Sequence, residues 1–203
     1  MNYCRDAGVS YLTLYAFSTE NWSRPKDEVS GLMSLLGAFL AKYQADLIER
    51  QVRLRVIGRR EDLADPLRQA LERVELATCG FERQLIIALS YSGRSELVRA
   101  VRLIAEQVRA GTLAPESIDE AAVTAHLYAP DVPDPDLIIR TSGEMRVSNF
   151  LLWQCAYSEF YITPVLWPDF REPDFKQALA SYAARDRRFG GVHPSAGREA
   201  SSC

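Results

Sequence analysis

The residues able to do chemistry gather in polar clusters, each placed directly after an apolar, strand-like run. The densest cluster is Arg140-Thr141-Ser142-Gly143-Glu144-Met145-Arg146-Val147-Ser148-Asn149, after residues 136–139. It offers two guanidinium forks, the Ser148 hydroxyl and backbone amides near Gly143, a set suited to a diphosphate. An ion-pair reading competes, in which Arg140 and Arg146 only neutralise Glu144 across a loop. A second cluster, Ser18-Thr19-Glu20-Asn21-Trp22-Ser23-Arg24-Pro25, follows residues 11–17. By itself Trp22 reads as core, and Asn21 as a turn or cap residue. A third, Tyr91-Ser92-Gly93-Arg94, follows residues 84–90. Glu159 lies in the aromatic stretch Trp153–Tyr161. Alone it reads as a salt-bridged carboxylate; beside a diphosphate it would supply part of a Mg²⁺ shell.

Other chemistries find no support. The chain has no G-x-x-x-x-G-K-[ST] run and no G-x-G-x-x-G after a strand, so phosphate must be held by arginine and metal. Cys4, Cys79, Cys155 and Cys203 are far apart and form no C-x-x-C pair, which indicates neither zinc nor a disulfide framework. His126 and His193 stand away from any plausible nucleophile. A formal charge of −3, from 24 basic and 27 acidic residues, argues against a nucleic-acid binder with a basic face. The opening residues 1–6 do not read as a signal peptide, having no apolar core behind a basic end, and the longest apolar stretch, residues 31–41, is too short for a bilayer. A cytoplasmic protein is expected.

Alternating elements position the clusters. Residues 11–17 read as a strand, and Pro25 opens an apolar helical pattern through Leu47 to Glu49. Val52, Leu54 and Val56 alternate with Arg53 and Arg55, a strand with a wet face or an edge. Asp65-Pro66 opens a helix ending at Gly80, residues 84–90 form a buried strand, and residues 95–110 a helix closed by Gly111. A shorter helix is expected over 118–127, a buried strand over 136–140, a short one over 160–163, and a last helix over 173–188. This alternation predicts an α/β fold with a mainly parallel central sheet flanked by helices. Residues 1–191 are read as a single domain and 192–203 as a disordered tail. Met1–Gly8 has the form of a last helical turn with its C-cap, as if the chain begins inside an element.

In this order the segments closely resemble the cis-prenyltransferase family. The resemblance rests on Leu12–Pro25, on Asp136–Gln154, on Ala156–Phe160, on Trp167-Pro168-Asp169-Phe170 and on Arg187-Arg188-Phe189-Gly190-Gly191. It implies a Mg²⁺-dependent transferase that condenses isopentenyl diphosphate with an allylic diphosphate such as farnesyl diphosphate. By resemblance Arg140, Arg146 and Ser148 hold the isopentenyl diphosphate, Glu144 orients the arginines, and Glu159 helps to hold Mg²⁺. Asn21, Trp22 and Arg24 would lie near the reacting carbons, and Leu32, Met33, Leu36 and Phe39 would line a product tunnel. A homodimer and transient, peripheral membrane contact for product release are also implied. Ser90-Tyr91-Ser92-Gly93-Arg94 stands where the family usually has Asn-Tyr-Gly-Gly-Arg. The family's opening strand, its Asp-Gly-Asn-Gly-Arg-Trp loop and most of the first helix have no counterpart, an N-terminally shortened pattern implying weak activity. A non-catalytic subunit supporting a complete partner is the alternative, disfavoured by the intact cluster from Arg140 to Glu159.

Overall fold

The run Leu85-Ile86-Ile87-Ala88-Leu89 has no polar face, and it forms the middle of a three-stranded parallel sheet ordered β1-β3-β2. The strands are β1 (Tyr11–Ser18), β2 (Val52–Ile57) and β3 (Arg83–Tyr91). Ile87 of β3 stands opposite Leu14 on one side and Val56 on the other. The computed structural model describes residues 2–185. These form two compact units, one running to Asp134 and including Arg146–Gln154, the other comprising Pro135–Met145 and the chain from Cys155 onward.

In the first unit, α1 (Asn2–Asp6) is followed by α2 (Lys26–Glu49), α3 (Asp65–Thr78), α4 (Gly93–Arg109) and α5 (Glu120–Ala125). One sheet face buries Phe17, Leu54, Leu85, Ile87 and Leu89 with Leu40 and Leu47 of α2 and Leu71 and Val74 of α3. Fully burying each such side chain contributes about 1.5–3 kcal/mol. A second core holds Ile57, Ile86, Ala88, Tyr91 and Leu151, with Tyr15, Tyr128 and Phe150 packed against it. The alternation along β2 does mark an edge strand, with Val52, Leu54 and Val56 buried and Arg53 and Arg55 half-buried.

The second unit contains β4 (Leu137–Arg140), parallel to β5 (Glu159–Ile162), and α6 (Glu172–Ala183). All strand pairings among the described residues are thus parallel, as expected.

Several boundaries differ from the expectations. β4 is half-buried along its length rather than buried, because among the described strands only β5 pairs with it. α4 starts at Gly93 because the Ser92 side chain caps it by accepting from the Ser95 N–H, and α5 is shorter than expected. α6 stops at Ala183; residues 186–203, including the Arg187–Gly191 motif and the expected tail, lie outside the described residues. Gly8 (φ 72°) and Gly111 (φ 74°) do end helices in the left-handed region, whereas Gly80 does not adopt it. At Gly8 the Val9 N–H reaches the Cys4 carbonyl and the Gly8 N–H the Arg5 carbonyl, the bond pair of a Schellman motif.

Candidate active site

In an open α/β sheet, ligands bind beyond the carboxyl ends of the strands. In the first unit β1 leads there into a short 3₁₀ turn, Thr19–Ser23. Asn21 caps that turn, its Oδ1 accepting from the Ser18 N–H at 2.9 Å. Its Nδ2 has no partner among the described residues, so the cap leaves a donor for other use. Trp22 packs edge-on against Phe17 and donates its indole N–H to Ser90 Oγ at 2.8 Å. The bland readings of both residues, cap and core, are therefore correct as far as they go. Arg24 is exposed and paired with Glu28 at 2.8 Å, one helical turn on.

The chain after β3 is organised by Asn149. Its carbonyl accepts from the Gly93 N–H and its Oδ1 from the Arg94 N–H. These are the first amides of α4, which would otherwise be open to an anion. Its Nδ2 donates to Ser92 Oγ at 2.7 Å and to Glu20 Oε1 at 2.8 Å. The Asn149 bond holds the Glu20 carboxyl below the usual glutamate range. Gly93 is needed for close approach: a Cβ there would sit 2.8 Å from Leu152 Cγ. Ser148 (φ 51°), Asn149 (φ 63°) and Leu151 (φ 44°) all occupy the left-handed region. Such conformations cost about 1–3 kcal/mol each for non-glycine residues and concentrate at functional sites. Their anchors are the Asn149 bonds, Tyr15 Oη to the Ser148 carbonyl at 3.3 Å, and the buried Leu151 side chain. Arg146 and Ser148 are exposed.

Behind this segment lies Glu96, 1% exposed. It accepts from Tyr91 Oη at 2.5 Å, from the Tyr128 N–H at 2.9 Å and from Gln154 Nε2 at 3.1 Å. Burial, then the Glu96 charge and hydrogen bond, push the Tyr91 hydroxyl far above its ordinary range. Sequence reading missed Glu96, Asn149 and Glu20 as organisers, since each is an unremarkable polar residue until its partners are known.

In the second unit Arg140 ends β4, and the turn after it is tied back by Gly143 N–H to the Thr163 carbonyl at 2.8 Å and Ser142 N–H to the Val165 carbonyl at 2.9 Å. Glu144 lies 3.3 Å from Arg140 Nη2, an ion pair that fits both an orienting role and simple charge neutralisation. Glu159 begins β5, opposite Leu137. It therefore stands three residues before the Arg140 level, roughly 10 Å along the strand direction. The structure does not bring those two residues together. Instead Glu159 Oε2 accepts from Arg185 Nη1 at 2.6 Å, and Arg185 also donates to the Phe160 carbonyl. Among the described residues no three His, Cys, Asp or Glu side chains gather as a metal site.

Comparison with known proteins bears on the whole chain. The undecaprenyl diphosphate synthase family profile matches residues 1–190. An isoprenyl transferase of Heliobacterium mobile is 50% identical over 190 residues, covering 93% of this chain and 73% of that protein. The ditrans,polycis-undecaprenyl-diphosphate synthase ((2E,6E)-farnesyl-diphosphate specific) of Micrococcus luteus is 49% identical over 191 residues, 94% of this chain and 77% of its own. The crystal structure of lavandulyl diphosphate synthase from Lavandula x intermedia, in complex with dimethylallyl diphosphate, is similar with a TM-score of 0.90 at 39% identity, covering 93% of this chain and 82% of that one. Identity at this level over this much sequence settles the fold as that of the cis-prenyltransferases and the chemistry as isoprenyl transfer. The chain belongs to the undecaprenyl diphosphate synthase family of isoprenyl transferases.

Proposed function

We propose that the chain condenses isopentenyl diphosphate with an allylic diphosphate such as farnesyl diphosphate, adding units with cis double bonds. The observation that carries this reading is the uninterrupted run Arg140–Asn149, which keeps two guanidinium groups, a hydroxyl and an orienting carboxylate in a chain about half identical to isoprenyl transferases. In this reading Arg140, Arg146 and Ser148 hold the isopentenyl diphosphate, and Glu144 orients Arg140. The allylic carbon–oxygen bond breaks and its electron pair leaves with the diphosphate. The isopentenyl double bond supplies the pair for the new carbon–carbon bond, and loss of one proton forms the cis double bond. Asn21, Trp22 and Arg24 position the incoming unit and assist that proton's departure. Apolar walls exclude water, which would otherwise capture the cationic carbon.

Magnesium belongs to the same proposal. Glu159 has one oxygen held by Arg185, and its second oxygen has no hydrogen-bond partner among the described residues. Mg²⁺ commonly takes one or two carboxylates and completes its shell with phosphate oxygens and water, so this donor fits an ion arriving with a diphosphate. Bound there, the ion would neutralise charge developing on the departing diphosphate. A homodimer, a cytoplasmic location and brief membrane contact during product release complete the proposal; no described helix is long and apolar enough to cross a membrane.

The test is calorimetric titration of isopentenyl diphosphate, alongside Mg²⁺-dependent incorporation of labelled isopentenyl diphosphate onto farnesyl diphosphate. Arg140→Ala and Arg146→Ala should each weaken binding by roughly ten- to a hundredfold, the loss of a charge-assisted contact of about 1.5–3 kcal/mol. Unchanged affinity in both variants would sink the assignment.

A further inference from the structure

The carboxyl ends of all three strands of the first unit are joined by one chain of hydrogen bonds. Trp22, just after β1, donates from Nε1 to Ser90 Oγ near the end of β3 at 2.8 Å. Ser90 Oγ lies 2.6 Å from Oδ2 of Asp62, which follows β2. Arg59 Nη2 closes on Asp62 Oδ1 at 3.1 Å. The direction is forced by chemistry. An indole N–H only donates and a carboxylate only accepts, so the one Ser90 proton goes to Asp62 and a Ser90 lone pair faces Trp22.

The backbone is built to hold this arrangement. Ser90 is fully buried and sits at φ 47°, a conformation serine seldom adopts. Its carbonyl accepts from the Arg59 N–H at 3.0 Å. Gly58, at φ 120°, lets the chain pass so close that a Cβ there would lie 2.1 Å from the Leu89 carbonyl oxygen. The loop after β2 thus grips Ser90 by main chain and side chain at once. Buried hydroxyls with both roles satisfied in this way fix their neighbours' orientation.

We propose that Ser90 and Asp62 are positioning residues: they set the orientation of the Trp22 indole for isoprenyl transfer. This rests on the reading of Trp22 as a residue at the reacting carbons. Neither group touches substrate in this scheme; both act through the indole. Asn at position 90 would supply an acceptor oxygen and a donor amide in the same order, and asparagine tolerates a left-handed backbone.

The experiment follows the indole N–H resonance of Trp22 in the ¹⁵N-labelled full chain, assigned by its loss in Trp22→Phe. Ser90→Ala and Asp62→Ala should each shift that resonance and speed its exchange with solvent by roughly twofold to tenfold, the loss of one ordinary hydrogen bond. Isopentenyl diphosphate added to the parent should move the resonance saturably. Both variants should need roughly twofold to tenfold more of it, and Ser90→Asn should restore the parent's behaviour. An unmoved free-state resonance in both Ala variants, or parental isopentenyl diphosphate affinity in both, overturns the positioning role. A parent resonance that ignores both farnesyl and isopentenyl diphosphate overturns the placement of Trp22 itself, and the two failures are thereby told apart.

Discussion

At the scale of single residues, partners decide what a polar side chain is free to do. Glu159 is bound on one oxygen by Arg185, with the two side chains 31% and 34% exposed. Exposed pairs of this kind contribute about 0–1 kcal/mol. Glu159→Gln should therefore leave thermal unfolding nearly unchanged while weakening the Mg²⁺-dependent part of diphosphate binding. Differential scanning calorimetry and a magnesium titration of isopentenyl diphosphate binding separate the two. A large drop in Tm with unaltered magnesium dependence would assign the carboxylate to the ion pair alone. Asn21 shows the converse: its oxygen is spent on a cap and its amide is not.

Among the elements, α2 carries more apolar surface than the core takes. Val29, Leu40 and Leu47 are buried and Met33 and Leu36 pack on the core. Leu32, Leu35 and Phe39, at i, i+3 and i+7, remain 37%, 66% and 39% exposed. In the proposed enzyme this stripe is where a growing hydrocarbon finds an apolar wall. Leu32→Trp or Leu35→Trp should then shorten the polyprenyl products, read by thin-layer chromatography. Unaltered product length in both, and in Phe39→Trp, excludes α2 from the tunnel.

The β2 edge shows a different device. Its outward amides are met by α3 side chains: Leu54 N–H by Thr78 Oγ1 at 3.0 Å and Val56 N–H by Glu75 Oε1 at 2.7 Å. Arg60 completes the cover by bonding both Glu75 and the Val56 carbonyl. An open edge would template pairing with another chain. Thr78 is fully buried, so Thr78→Val strands the Leu54 N–H and should cost about 1–3 kcal/mol in chemical denaturation. A variant as stable as the parent would mean that this amide finds water.

For the whole molecule, the charge pair Arg55–Asp131 gives stability a defined acid dependence. The two fork nitrogens of Arg55 reach the Asp131 oxygens at 2.7 and 2.8 Å, tying β2 to the segment after α5. The Arg55 hydrogen bond holds the Asp131 carboxyl below the ordinary aspartate range. A depressed carboxyl contributes stability above its unfolded pKa, near 4, and that contribution is lost as pH falls through the lower folded value. Asp131→Asn should therefore unfold at lower temperature than the parent at pH 7, and the gap should narrow below about pH 4. A gap independent of pH would assign the effect to packing.

Order and type of the elements, the parallel sheet and the family were legible in the residues themselves. Apolar periodicity is a local property, and motifs as long as Leu12–Pro25 and Asp136–Gln154 are specific without any coordinates. Asp62 was within reach of the same reasoning, because it follows β2 as the recognised clusters follow β1, β3 and β4. Its role was not legible: the Ser90 hydroxyl that joins it to Trp22 is 28 residues from Asp62 and 68 from Trp22. Asn149, Glu96 and Arg185 are likewise defined by partners distant in sequence. The separation of Glu159 from Arg140 follows from the β4–β5 register, and its pairing with Arg185 from the packing of α6 against β5. Side-chain type and spacing determine which chemistry is available, but hydrogen-bond partnership depends on placing donor and acceptor to within a fraction of an ångström, which only chain closure sets, and that the tertiary structure alone decided.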